Sequence, residues 1–449
     1  MARTDRLVRS ALLMLSSLLA AAPALAAEYY VAPDGKDANN GTLAQPFESV
    51  QRAQKAAAPG DTVFIRGGTY AVREDQIART QGIYAYVFDL DKSGTEKSPI
   101  RYFAYKDERP VFDFSKVKPA NLRVIAFYVA GSWLHLRGFE VVGVQVTITG
   151  HTQSECFQNQ GSNNVYERLS MHDGMAIGLY LLNGSNNLIL NCDAYRNHDP
   201  VSEGGRGGNT DGFGGHAKKG ATGNVFRGCR AWFNSDDGYD CINSAEAIRF
   251  ENCWAMYNGF SPEFKSLGDG NGFKSGGYGS TKPDRLPNPI PRHVTAFCVA
   301  VRNKANGFYA NHHIGGQDWF NNSAFRNPNN FNMLSRGPDN GADIPGRGHV
   351  MRNNLGFDGK NELANLAEGP KETTGNDLAG NYFDLNLKVT EADFVSLDEA
   401  ELIRPRQPDG DLPKVNFMRL ADGSKLIDRG VDIGVKYNGA KPDLGAFEK

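Results

Sequence analysis

The stretch NTDGFGGHAKKGATGNVFRGCRAWFNSDDGYD, residues 209–240, sets Asp211, Asp236, Asp237 and Asp240 beside glycines. Aspartate next to glycine is ordinary turn chemistry, and for any one of these residues that reading suffices. Aspartates also serve as proton-transfer groups and as ligands for hard cations. Which applies depends on whether the chain brings the four together. Further on, GNGFK ends in Lys274, an ordinary solvated lysine unless it shares their surface.

Internal repeats decide this. The pattern C-x-A-x-x-N occurs at CDAYRN, CRAWFN, CWAMYN and CVAVRN, ending at Asn197, Asn234, Asn258 and Asn303, and NSAFRN ends a fifth copy at Asn327. The Asn-to-Asn spacings are 37, 24, 45 and 24. The short value is one turn of a solenoid, and the long values are turns with insertions. A Gly-aromatic pair follows each of the first four Asn, at Gly212-Phe213, Gly238-Tyr239, Gly272-Phe273 and Gly307-Phe308. Short β-type runs at this period, without helical periodicity, predict an all-β chain folded as a parallel β-helix. Its repeated Asn would stack as an internal amide ladder, with Cys, Ala and aromatics filling the core.

Aligning the coils on the Gly-aromatic pair places the chemistry. Asp211 and Asp237 each stand two residues before the aromatic, while Asp240 and Lys274 each follow it. Strand alternation then turns Asp240 and Lys274 outward on one face, one coil apart. The four carboxylates and the lysine are expected on a solvent-facing patch, with inserted loops at 198–209 and 259–270 walling a groove. Clustered carboxylates repel one another, and a hard divalent cation relieves this. An all-oxygen set points to calcium before zinc or copper. Four of the six cysteines share one core position and read as packed apolar groups, with at most one bridge. His216 and the His312–His313 pair show no clear partner and read as structural or substrate-rim residues.

The ends of such a stack need covers. In PFESVQRAQKAAAPGD, Pro46 reads as a helix start, and Phe47, Val50, Ala53 and Ala57 share one face, as in an N-terminal capping helix. After about residue 360 the repeat fades into a charged, loop-rich segment read as a C-terminal wrap. The expected organisation is a signal peptide at 1–26 and a single domain at 27–449. Within that domain, 27–130 holds the cap and first coils, 131–360 the regular coils and 361–449 the wrap.

Arg3, Arg6 and Arg9 precede an apolar run from Ala11 to Ala22 and a small-residue site at Ala26 or Ala27, which predicts export to the periplasm or medium. The chain carries 49 basic and 51 acidic residues; residues 1–26 hold three Arg and one Asp, so removing them moves the net charge from −2 to −4. No basic excess exists for nucleic acid or anionic lipid. The expected molecule is a monomer, with neither nucleic acid nor membrane as partner.

The set NTDGF, NSDDGYD and GNGFK, with the opening YYVAPDGKDANNGTLAQPF and the closing DLGAFE, resembles the family-nine polysaccharide lyases, pectate lyases in particular. The resemblance implies a right-handed parallel β-helix that holds calcium through Asp211, Asp236, Asp237 and Asp240, with Lys274 as catalytic base. It implies polygalacturonate or pectin as the acidic polysaccharide partner, cleaved by β-elimination.

Two other readings compete. NTD followed by DD also resembles the polygalacturonase pattern, in which aspartates activate water. That family adds Gly-His-Gly in the following coil and a later Arg-x-Lys, whereas this chain offers GNGFK and no such pair in place. A non-catalytic glycan-binding solenoid explains the fold but leaves the Asp cluster and Lys274 as coincidence.

Overall fold

The computed structural model describes residues 26–449; the expected signal peptide lies almost wholly outside the described residues. Three long sheets form, of 12, 10 and 11 strands, each chain passage adding one strand to each sheet. A representative coil supplies Ile248–Glu251, Trp254–Met256 and Phe273–Lys274. Neighbouring coils pair in parallel; Arg79–Gln81 pairs antiparallel with Tyr84–Leu90 at one edge, and Ser335–Arg336 with Asp343–Ile344 in a small separate sheet. This is a parallel β-helix. The strands are short because left-handed bends interrupt each coil, many at Asn, which tolerates positive φ: Asn191, Asn252, Asn321 and Asn353 have φ of 54°, 52°, 49° and 58°.

The C-x-A-x-x-N repeat packs as its spacing implies. Ala194, Ala231, Ala255, Ala300 and Ala324 stand in register and are fully buried. The Asn ladder is continuous: the Nδ2 of Asn197 donates to Oδ1 of Asn234, then Asn234 to Asn258, Asn258 to Asn303 and Asn303 to Asn327, at 3.0–3.1 Å. Each such bond contributes roughly 1 kcal/mol and satisfies an amide that would be costly to bury alone. All six cysteines are free and buried, so no bridge staples the coils.

The landmark aromatics form a second stack inside the helix. Phe213, Tyr239, Phe273, Phe308 and Phe331 lie face to face, with centroids 4.6–5.1 Å apart and planes within 16°. The preceding glycines are forced by this packing. A β-carbon on Gly238 would sit 2.7 Å from the Gly272 carbonyl oxygen and 2.8 Å from Asn258 Nδ2 of the ladder.

The N-terminal cap differs from expectation in its start. The helix is Val50–Ala56, and Ser49, not Pro46, caps it, its side chain accepting from the Arg52 N–H. Pro46 and Phe47 instead belong to the preceding extended segment, where Phe47 bridges Val31. The apolar face is as read: Phe47, Val50, Ala53 and Ala57 are all buried.

Beyond the coils the chain runs back along the helix. Arg406, from this returning segment, and Arg230, from a coil, both bond Asp193, at 2.7 Å each. Arg230 also donates to the carbonyls of Leu402 and Arg404. These three side chains are 4–12% exposed. Asp193→Ala would strand two buried guanidiniums, so it should cost about 3–5 kcal/mol in urea unfolding. A loss below about 1 kcal/mol would show that the segment is held by its other contacts. Among the described residues no helix is long and apolar enough to cross a membrane.

Candidate active site

The register brings together the residues singled out by spacing. Phe213 pairs with Tyr239 and Tyr239 with Phe273, so Gly214, Asp240 and Lys274 are successive neighbours across three strands. Asp211 lies against Asp237, whose N–H donates to Asp211 Oδ1 at 3.1 Å. One carboxylate oxygen of each of Asp211, Asp236 and Asp237 falls within 4.8 Å of the others.

Each carboxylate has Oδ1 fixed by a backbone N–H. Asp211 accepts from Asp237, Asp236 from Asp269 at 2.8 Å, Asp237 from Asn271 at 2.7 Å and Asp240 from Ile242 at 2.6 Å. Asn271 adds its side-chain amide to Asp237 Oδ1 at 2.7 Å. Lys274 Nζ lies 3.0 Å from Asp237 Oδ2 and 3.1 Å from Asp240 Oδ2. The contact with Asp237 Oδ2 lacks hydrogen-bond alignment, so this buried oxygen meets charge but no aimed donor.

In one respect the site differs from the expected solvent-facing patch: the four aspartates are 0–4% exposed, and only Lys274 is part-exposed. The inserted loops cause this. The loop at 259–270 folds back over the cluster, with Gly268 N–H donating to Ser235 O and Asp269 N–H to Asp236. Lys304 holds that loop through the carbonyls of Leu267 and Gly268. Gly207, from the other loop, accepts from Ser235 Oγ.

Burial of four carboxylates against one ammonium shapes their ionisation. Burial, then Asp236, Asp240 and Asp237, push Asp211 well above the ordinary carboxylate range; burial and Asp237 do the same to Asp236. Burial raises Asp237 too, with Lys274 opposing. For Lys274, burial works to lower the pKa, but the four carboxylates outweigh it and hold the ammonium well above its usual value. Three negative charges remain unmatched if all four carboxylates ionise. An oxygen-rich set with fixed Oδ1 atoms and excess negative charge fits a hard divalent cation.

The histidines divide. His313 is buried, donating from Nε2 to Pro291 O and accepting from the Gly277 N–H, and His312 meets Asp343. His216 instead joins the cluster: one of its ring nitrogens falls within 4.8 Å of carboxylate oxygens of Asp211 and Asp240. Its position two residues past Gly214 carries no repeat signal, and Asn271 likewise lacks the charge that would have marked it. Along the outward face of the sheet, the positions in register with Lys274 are Gln158, Tyr180, Gly214 and Asp240 on one side and Tyr309 and Asn332 on the other.

Comparison with known proteins gives consistent matches. A family profile described as "Pel9A-like, right handed beta helix region" matches residues 29–354, and one described as "Rhamnogalacturonan lyase-like, C-terminal" matches 372–448. Pectate lyase L of Dickeya chrysanthemi is 35% identical over 432 residues, covering 94% of this chain and 90% of its own. A solved rhamnogalacturonan lyase is 46% identical with a TM-score of 0.84, covering 88% of this chain and 96% of its own. The crystal structure of pectate lyase Pel9A is 33% identical with a TM-score of 0.76, covering 94% and 96%.

Proposed function

Because the chain belongs to the Pel9A-like right-handed β-helix family and is a polysaccharide lyase, we propose that it cleaves a galacturonate-bearing polymer by calcium-assisted β-elimination. Lys274 acts as the base. The observation that carries this reading is the placement of Lys274, a part-exposed amine at the mouth of four buried carboxylates.

A calcium ion held by Asp211, Asp236, Asp237 and Asp240 would supply positive charge to the substrate carboxylate, making the neighbouring C5 proton more acidic. Lys274 Nζ takes that proton. The C5–H electron pair becomes the C4–C5 double bond, and the C4–O bond breaks with its pair going to the leaving glycosidic oxygen, which then gains a proton. Lys274 must arrive neutral. The carboxylates that hold its proton are the proposed cation ligands, so matching their charge releases the amine and couples base activation to cation binding. The buried Oδ1 clamps keep the carboxylates from rearranging as this charge balance changes. A chain acting on plant polymer outside the cell accords with the export signal read at residues 1–26, and a single chain carries every proposed group.

Two polymers compete as substrate. Polygalacturonate is supported by the pectate lyases at 33–35% identity. Rhamnogalacturonan, in which galacturonate alternates with a neutral sugar, is supported by the higher identity of 46%. The sheet positions flanking Lys274 also favour it. Tyr180, Gln158, Tyr309 and Asn332 are uncharged there, whereas a polymer with a carboxylate on every sugar would favour Lys or Arg on successive coils. We therefore rank rhamnogalacturonan first.

Ultraviolet absorbance of the unsaturated product, followed on both polymers with calcium present, tests the assignment. Faster absorbance growth on rhamnogalacturonan is expected. Faster growth on polygalacturonate would reverse the ranking, and new reducing ends without absorbance would return the hydrolase reading.

A further inference from the structure

The histidine beside the carboxylates has an arrangement that the proposed calcium chemistry does not use. His216 is 8% exposed. Its Nδ1 lies 2.8 Å from the carbonyl oxygen of Ile242, an acceptor only, so Nδ1 carries the proton and donates. That fixes the tautomer and leaves Nε2 with a bare lone pair. Nε2 is buried and has no hydrogen-bond partner. A buried acceptor without a partner is uncommon, and each instance calls for an explanation.

The surroundings hold this lone pair beside the strand neighbour of Asp240. Tyr180 stacks on the imidazole at 4.4 Å and 20°, holding the ring plane. The Nε2 edge passes over Gly214, where a β-carbon would stand 2.7 Å from Nε2, so only glycine leaves this approach clear. Gly214 is the strand neighbour of Asp240. Ile242 fixes both partners at once, its N–H on Asp240 Oδ1 at 2.6 Å and its carbonyl on His216 Nδ1. A histidine beside two carboxylates that donates Nδ1–H to a backbone carbonyl and keeps Nε2 unpartnered has the arrangement of a metal ligand with its supporting shell.

We propose that His216 Nε2 is a protein ligand at the Asp211–Asp240 edge of the cluster. That edge is a mixed nitrogen–oxygen site that favours a borderline first-row cation such as Co2+ and also admits Mn2+. The proposal rests on the cation-binding reading of the aspartates and adds a nitrogen donor to it. Asp236 and Asp237, on the other side of Asp211, add oxygen alone, so the four carboxylates still suit calcium. Imidazole favours later first-row ions over calcium, so His216 should set metal preference more than it sets calcium affinity.

The test uses the full mature protein freed of metal and then loaded with Mn2+. Electron spin-echo modulation of the bound Mn2+ should show coupling to an imidazole 14N nucleus, and His216→Ala should lose it. By calorimetry, His216→Ala should weaken Co2+ binding at least about tenfold while changing calcium binding far less. His216→Gln, which keeps most of the volume, repeats the comparison if the alanine variant misfolds; the wild-type spectrum decides without either. Bound Mn2+ without nitrogen coupling would overturn the role of His216 and leave the carboxylate site standing. Failure of both Mn2+ and calcium to bind would overturn the carboxylate site as well.

Discussion

Lys274→Ala is expected to lose nearly all turnover, by at least the roughly 10²–10⁴-fold that a positioned general base contributes, while calcium and polymer still bind. The expectation follows from position. Lys274 Nζ is the cation set against Asp237 and Asp240 and is more exposed than the aspartates it meets. Lys274→Arg keeps the charge but holds its proton far more tightly, so it should recover binding better than rate. The pH profile carries a sign. Because the carboxylates hold the ammonium above the usual lysine range, the neutral base grows as pH rises, and the rate should rise on the alkaline side. A cation bound more tightly by the carboxylates should move that limb to lower pH. A Lys274→Ala enzyme with the wild-type maximal rate would remove Lys274 from the chemistry.

Asp237→Asn should weaken calcium binding far more than it weakens the fold. Asp237 is fully buried and central: its N–H bonds Asp211, its Oδ1 takes two donors from Asn271, and its Oδ2 faces Lys274. The substitution removes a ligand charge at nearly constant shape, and a hard cation depends on that charge. It also removes one of several mutually repelling buried carboxylates. Burial raises the pKa of Asp211, Asp236 and Asp237. A carboxylate whose folded pKa is raised loses stability as pH climbs from its unfolded value through its folded one. The metal-free wild type is thus strained near neutral pH, and Asp237→Asn should melt at an equal or higher temperature without calcium, yet gain much less from added calcium. Calorimetric titration with melting curves checks both halves. An unchanged calcium dissociation constant would reduce Asp237 to a turn residue.

Repetition made the architecture legible, because a solenoid writes each structural position several times. The Gly-aromatic pair fixed the register well enough to set Asp240 beside Lys274, and the structure pairs them. The Asn ladder was legible for the same reason. A second ladder was not: Asn322 donates to Asn354, and Asn354 to Asn381. There Asn322 and Asn354 share an Asn-Asn-x-small-Phe context, but Asn381 sits in GNYFD and breaks it, so the pattern runs for only two coils. Burial of the aspartates escaped the sequence because it depends on how the loop at 259–270 closes, through single backbone bonds such as Asp269 to Asp236. His216 escaped because its meaning lies in an unpaired Nε2 and a carbonyl from the next coil, neither of which leaves a trace in residue type. The helix start was misplaced at Pro46 because a proline that opens a helix and one that ends an extended segment look alike, and Ser49 had the stronger capping chemistry.

If a cation held by the four aspartates enables elimination next to a galacturonate, product absorbance in the ultraviolet should follow the metal as it is removed and returned. With polymer and calcium present the absorbance should climb. Excess chelator should stop it while the far-ultraviolet circular dichroism of the β-helix holds, because the Asn and aromatic stacks do not involve the metal. Adding calcium beyond the chelator should restart it. Absorbance that climbs undiminished in excess chelator would show that elimination needs no bound cation.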